Sequence, residues 1–140
     1  ELDEWVIDGL SRVGLEASHE PLNDIAHPDG KLGGSAQLRS GSAVLHHTTM
    51  SYDLDIEAML AALRIGKEKV SDKAVKSAEQ RVAVMRDYVD ASRREVIDAL
   101  TSAFEDTYGG RPGSIDADVL EEARARAENK FETDEWNKRL

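Results

Sequence analysis

The stretch 31–52 constrains the fold of this chain most strongly, because it carries the pattern of two β-strands joined by a tight turn. Residues 31–39 and 43–52 flank a Ser-Gly-Ser triplet, and such a spacing is typical of a hairpin. Alternation along the second strand sends His46 and His47 to opposite faces. Polar residues occur on both faces, so this strand either lines a polar pocket or lies at a sheet edge with one face exposed to solvent.

Apolar residues at helical spacing predict helices on both sides of this hairpin. An amphipathic pattern over residues 3–13 ends at Gly14, which is a natural C-terminal stop. Residues 22–26 are predicted to be a short extended segment. After the hairpin, Asp53 or Asp55 is expected to cap another helix.

The carboxyl-terminal half is predicted to be helical. Ser92 and Glu95 have the spacing of a capping box, and the helix that they open is expected to end at Gly109. Its predicted core positions are Val96, Leu100 and Phe104. A last helix is predicted from Asp116 to about Lys130. Helices around one hairpin favour an α+β fold.

Length and composition exclude several classes of protein. The chain has 140 residues, the size of one ordinary domain. Its net charge of -10 argues against a nucleic-acid or anionic-membrane surface. No run approaches the ~20 apolar residues of a spanning helix. The chain contains no cysteine, so the cytoplasm is the default expectation for its compartment.

The charge is uneven along the chain and indicates one local anion site. Residues 1–30 carry eight acidic side chains, whereas residues 31–52 carry none. Lys31 follows a Pro-Asp-Gly turn and precedes Gly33 and Gly34. Backbone N–H groups at glycines can approach a phosphate that a lysine neutralises. The alternatives are a bent strand or a close backbone contact for the glycines, and a solvated turn lysine for Lys31.

The order of these motifs resembles that of lipoate–protein ligases. That family carries an Asn-Asp pair, a Lys-Ile-Ser-Gly-Ser-Ala-Gln segment and a His-His-Gly-Thr strand followed by Asp-Leu. The matching segments here are Asn23-Asp24, Lys31-Leu32-Gly33-Gly34-Ser35-Ala36-Gln37, His46-His47-Thr48-Thr49 and Asp53-Leu54. Later segments at residues 69–73 and 130–137 also resemble the family, so the resemblance covers nearly the whole chain.

The resemblance implies a biotin/lipoate ligase-like domain with a mixed β-sheet and packed helices. Residues 1–113 are expected to be the C-terminal portion of the catalytic domain, and residues 114–140 a helical segment of the same domain. The implied enzyme uses ATP and Mg²⁺ to convert lipoate to lipoyl-AMP. It then transfers the lipoyl group to a lysine of a carrier domain in a 2-oxoacid dehydrogenase complex or of the glycine-cleavage H protein.

The resemblance also assigns site residues. Lys31 is expected to be the catalytic cation that bridges the α-phosphate and the acyl carbonyl, and Asp24 to help hold Mg²⁺. The residues expected to bind the nucleotide or lipoyl-AMP are Asn23, Asp24, Gly33, Gly34, Ser35, Ala36 and His47. A turn or Asx cap remains the alternative for the Asn23-Asp24 pair, and a packing or solvent role remains the alternative for His47.

Several departures from the family pattern leave other functions open. Leu22 stands where an arginine is usual, Leu38 replaces another frequent arginine, and Thr48 replaces a glycine. The family's glycine-rich loop would lie upstream of residue 1, so we expect the chain to be inactive without an N-terminal half, in the same or a separate chain. The alternatives are a non-catalytic lipoate- or carrier-binding relative and an ATP-independent octanoyl or lipoyl transferase, against which Asn23-Asp24 argues weakly.

Overall fold

A computed structural model of the chain describes residues 2–62 and 82–139. The chain divides into two compact units, Glu1–Gly110 and Arg111–Leu140. The predicted hairpin lies in the first unit, together with the first helix and the capping-box helix.

The first unit combines one antiparallel sheet with helices, which confirms the predicted α+β class. Its elements are α1 (Glu4–Arg12), β1 (Ser18–Glu20), β2 (Asp24–His27), β3 (Gly30–Ser40), β4 (Ala43–Met50), α2 (Ile56–Ala62), a 3₁₀ turn (Met85–Asp87) and α3 (Arg93–Tyr108). The four strands follow one another in the order β1-β2-β3-β4, each antiparallel to the next. A parallel bridge joins Lys31 to Val82.

The predicted hairpin is confirmed as β3 and β4, with Gly41 at a positive φ of 57° in its turn. The second strand ends at Met50 and not at Tyr52, although Ser51 N–H still donates to the Leu32 carbonyl on β3. The extended segment predicted at 22–26 corresponds to β2, which begins two residues later, at Asp24, and ends at His27. Three residues of β1 were not predicted, and all three are exposed.

The core lies where α1 and α3 meet the sheet. Its buried side chains come from α1 and the segment after it, the strands, the segment after Val82 and α3; they are Val6, Leu10, Leu15, Ile25, Leu32, Ala83, Met85 and Val96. Gly9 allows α1 to approach α3 closely, because a Cβ there would lie 2.9 Å from the Leu100 side chain. Phe104 was expected in this core but is 43% exposed. It contacts Trp5 edge-on at the rim.

The predicted helix boundaries are largely confirmed. Ser92 and Glu95 form the capping box of α3, and Gly109 adopts a left-handed φ of 71° at its end. The Asp55 side chain accepts from Ala58 N–H in the first turn of α2. The expected family landmark at residues 69–73 lies outside the described residues.

The second unit consists of short helical segments. They are α4 (Ala117–Arg126), a π-helical turn (Ala127–Phe131) and α5 (Asp134–Asn137). The predicted last helix therefore changes geometry near its end, and Thr133 caps α5 by accepting from Trp136 N–H. Among the helices that the structure describes, none has the length and apolar character needed to cross a membrane.

Candidate functional site

A β-bulge decides which way the Lys31 side chain points. Ile25 pairs with Gly33 while its neighbour Ala26 pairs with Lys31, so β3 contains one extra residue at this point. That extra residue, Leu32, is fully buried in the core. A bulge re-aims the side chains beside it, and here it brings Lys31 to the same face of the sheet as Asp24.

Lys31 and Asp24 form an ion pair on that face. The distance from Lys31 Nζ to Asp24 Oδ1 is 2.5 Å, and the two side chains are 45% and 34% exposed. The Lys31 backbone is fixed independently, because its carbonyl accepts from Ala83 N–H at 2.8 Å. The site therefore offers a cation that is held at both ends and still accessible to solvent.

The two glycines after Lys31 have different roles. A Cβ on Gly34 would lie 3.1 Å from Lys31 Nζ, so the missing side chain leaves the space that the ammonium occupies. A Cβ on Gly33 would overlap the Thr49 carbonyl oxygen and lie 2.7 Å from Met50 Sδ. Gly33 thus allows a close contact between the backbones of β3 and β4, which was one of the alternatives for these glycines. Gly34 instead leaves room for the Lys31 side chain.

Asn23 ties the start of β2 to β3. Its side-chain amide donates to the Ser35 carbonyl, and its own carbonyl accepts from Ser35 N–H at 2.8 Å. The Asn23 amide is therefore engaged by the backbone in this structure. Its position directly before Asp24 places it at the border of the site.

His47 lies on the same face as Lys31. Its partner across the ladder is Ala36, and Gly34 pairs with Thr49 two residues along. Directly paired residues share a face, so the residues that we call the Lys31 face are Asp24, Lys31, Gly34, Ala36, His47 and Thr49. Ser35 and His46 belong to the opposite face, where Gln37 pairs with His46. The structure thus brings five of the eight predicted site residues onto one face. Gly33 and Ser35 lie outside it, and Asn23 lies at its border.

Sequence reasoning missed one charged residue behind the site. Asp3 is buried, with 7% of its surface exposed. Its Oδ1 accepts a hydrogen bond from Thr48 Oγ1 at 2.6 Å and lies 2.7 Å from His46 Nε2. Burial raises the pKa of the Asp3 carboxyl, but hydrogen bonds from His46, Thr48 and Ser35 outweigh it, so that pKa lies below its ordinary value. No sequence signal distinguishes this aspartate from an ordinary helix cap.

A cavity of about 580 Å³ opens between the start of α1, the β1–β2 turn and β3. Asp3, Asn23 and Ser35 line it, whereas Lys31 and His47 do not. Within residues 2–62 and 82–139, no three His, Asp or Glu side chains are arranged to share a metal ion. Asp24 supplies one carboxylate beside Lys31.

The chain matches the family model of the lipoyl protein ligase A/B catalytic domain over residues 1–105. It is 33% identical to lipoate-protein ligase A subunit 1 of Thermoplasma acidophilum, over 97% of this chain and 56% of that protein. It is 36% identical to octanoyltransferase LipM of Kyrpidia tusciae, over 99% of this chain and 60% of that protein.

Solved structures agree with these matches. The bi-partite lipoate protein ligase of T. acidophilum, described with its E2 lipoyl domain, superposes with a TM-score of 0.85 at 34% identity, over 97% of this chain and 55% of that one. A lipoate-protein ligase A bound with ATP gives a TM-score of 0.81 at 28% identity, over 97% and 56%. The chain thus spans little more than half the length of these relatives. On its sequence and its fold, it belongs to the lipoyl protein ligase A/B catalytic-domain family.

Proposed function

We propose that this chain forms the Lys31-containing part of an ATP-dependent lipoate–protein ligase. The observation that carries the proposal is the Lys31 ammonium, held beside Asp24 above the gap left by Gly34 on an accessible sheet face. Such a fixed cation suits a reaction in which negative charge grows on oxygen atoms. The similarity to a ligase solved with ATP supports ATP as the activating substrate.

In the first step, the lipoate carboxylate attacks the α-phosphate of ATP, the bond to the bridging oxygen breaks, and pyrophosphate leaves. Lys31 Nζ would neutralise the non-bridging oxygens of the α-phosphate as their charge increases. The ammonium is attached to a backbone that is fixed by Ala83 N–H. Little reorganisation is then required of the cation during the reaction.

In the second step, the ε-amine of a carrier-domain lysine attacks the acyl carbonyl of lipoyl-AMP. An amide bond forms, the amine loses its proton, and AMP leaves. The acyl oxygen carries negative charge in the tetrahedral intermediate, and Lys31 would stabilise it from the same position. One ammonium that reaches both the phosphate and the acyl carbonyl therefore serves both half-reactions.

Asp24 is compatible with a role beside the nucleotide. Mg²⁺ is usually held by one or two carboxylates together with substrate phosphates, and Asp24 supplies one carboxylate, 34% exposed, next to Lys31. When bound, the cation would neutralise phosphate charge. Asn23, with its backbone tied to Ser35, would border the adenosine end of the same site.

The activity is proposed for an assembly that includes more than this chain. The chain covers 55% to 60% of the length of the relatives compared above. We therefore propose that an N-terminal half of the catalytic domain, in the same or a separate chain, completes the pocket over the Lys31 face. The proposed acceptor is a lipoyl carrier domain, in keeping with the E2 lipoyl domain described with the T. acidophilum ligase.

The test is lipoylation of an apo carrier domain by this chain combined with the remaining part of the domain. Transfer that requires both lipoate and ATP is expected.

The second candidate, octanoyl transfer, is favoured by the 36% identity to octanoyltransferase LipM. That activity would appear as ATP-independent movement of octanoyl groups between carriers. Binding of carrier without either transfer would indicate a non-catalytic relative.

A pair of neighbouring substitutions tests the pocket side of β4. His47→Ala is expected to weaken binding of lipoyl-adenylate more than His46→Ala, because His47 is on the Lys31 face and His46 on the opposite one. Affinity is measured by calorimetry with a non-hydrolysable lipoyl-adenylate analogue. Equal losses for both variants would mean that the two faces have been assigned wrongly.

A further inference from the structure

The Asp3 carboxylate connects the start of α1 to the back of β4. Asp3 occupies the N-cap position of α1, yet its side chain makes no capping hydrogen bond. Aspartate is among the preferred N-cap residues because its carboxylate usually accepts from the first helical N–H groups. Here the carboxylate is instead used by His46 and Thr48.

These two contacts lie on either side of His47 along the strand. Successive side chains alternate between the two faces of a strand. Contacts to the His46 and Thr48 side chains on one face therefore restrain the backbone that carries His47 on the other. Both contacts converge on one oxygen atom, Asp3 Oδ1. We propose that Asp3, acting through His46 and Thr48, is a positioning residue that fixes His47 on the Lys31 face; the proposal rests on the function proposed above.

The contact between Asp3 and His46 orients the histidine ring. A carboxylate only accepts hydrogen bonds, so His46 Nε2, which lies 2.7 Å from Asp3 Oδ1, is the donor. His46 Nδ1 is buried without a hydrogen-bond partner among the described residues. The ring is therefore held with Nε2 directed toward Asp3.

Thr48 makes the same contact from the other side of His47. Its hydroxyl donates to Asp3 at 2.6 Å. A residue without a side-chain donor at this position could not form that bond.

The variants Asp3→Asn and Thr48→Val test the proposal in the complete enzyme. Each is expected to weaken binding of a non-hydrolysable lipoyl-adenylate analogue about 10-fold, the range of coupling between residues in one network. Thr48→Ser keeps the hydroxyl and should retain the wild-type affinity. In a His47→Ala background, Asp3→Asn should cost no further affinity, because the residue through which it acts is gone.

Arg12→Gln is the matched control. Arg12 anchors the same helix, but to α3, through Asp106 at 2.8 Å and Ser102 at 3.0 Å, and it also pairs with Asp8. Its loss is expected to lower stability without lowering ligand affinity. Two results would overturn the proposal: an affinity loss in Arg12→Gln as large as that in Asp3→Asn, or an undiminished effect of Asp3→Asn in the His47→Ala background. Either would show that Asp3 supports the fold in general and does not act through His47.

A ligand-free measurement separates this proposal from the proposed function. If the wild-type enzyme did not bind the adenylate analogue, the ligase assignment would fail, whereas the positioning role can still be read from the His47 ring signals in NMR spectra. One sharp set is expected in the wild type and in Arg12→Gln, and broadened or multiple signals in Asp3→Asn. Identical His47 signals in all three proteins would overturn the proposal.

Discussion

Replacing Lys31 with alanine is expected to slow adenylate formation and carrier lipoylation by ~10²–10³-fold each, the scale of deleting one preorganised oxyanion donor. The reason is the proposed role of the Lys31 ammonium, which would serve the phosphate in the first step and the acyl carbonyl in the second. Both rates are measured in the complete enzyme, the first as pyrophosphate release and the second with synthetic lipoyl-adenylate. A normal transfer rate would limit Lys31 to ATP binding, and normal rates in both steps would leave it a solvated lysine.

Two controls accompany this result. Lys31→Arg is expected not to restore the full rate, because a planar guanidinium replaces a compact ammonium poorly between two oxygens. Folding should be unchanged in Lys31→Ala, since the side chain is 45% exposed and its partner Asp24 is also accessible to water. Equal urea midpoints for wild type and Lys31→Ala would show that the kinetic loss is not a folding loss.

Gly33→Ala is expected to lower the free energy of unfolding by about 3 kcal/mol, the upper end for overpacking a tight site. The new Cβ would overlap the Thr49 carbonyl oxygen and approach Met50 Sδ to 2.7 Å, so the ladder between β3 and β4 must shift. Urea denaturation of the chain measures the change. A stability within experimental error of the wild type would mean that the two strands are not as close here as described.

Gly34→Ala is the matched variant one residue along the same strand. Its Cβ would meet the end of the flexible Lys31 side chain at 3.1 Å, so stability should change by less than about 1 kcal/mol. The ammonium must move, however, and activity is expected to fall about 10-fold. A stability loss as large as that of Gly33→Ala, with activity retained, would contradict the different roles assigned to the two glycines.

Local patterns were sufficient to predict much of the fold. The capping box at Ser92, the left-handed end at Gly109 and the hairpin around Gly41 are each encoded by a few neighbouring residues. The assignment of His46 and His47 to opposite faces also follows from alternation and agrees with the observed register. These features do not depend on distant parts of the chain.

The bulge and the Asp3 contact could not be predicted in this way. Beside the register shift at Ile25, the Lys31 backbone contacts residues 82–83, and these lie about 50 positions downstream in the sequence. Asp3 has the sequence context of an ordinary helix cap, and only the tertiary contact between the start of α1 and β4 directs its carboxylate toward His46. The orientation of Lys31 and the support behind His47 are therefore products of long-range packing.

The most direct test of the proposed ligase is detection of its acyl-adenylate intermediate. The chain, combined with the remaining part of the catalytic domain, is incubated with lipoate, ATP and Mg²⁺ in the absence of carrier, and the bound material is identified by mass spectrometry. Lipoyl-AMP is expected in the wild-type complex, with one pyrophosphate released for each lipoate consumed, and it should be strongly reduced in Lys31→Ala. Absence of lipoyl-AMP in a folded wild-type complex, together with ATP-independent octanoyl transfer, would contradict the ligase assignment.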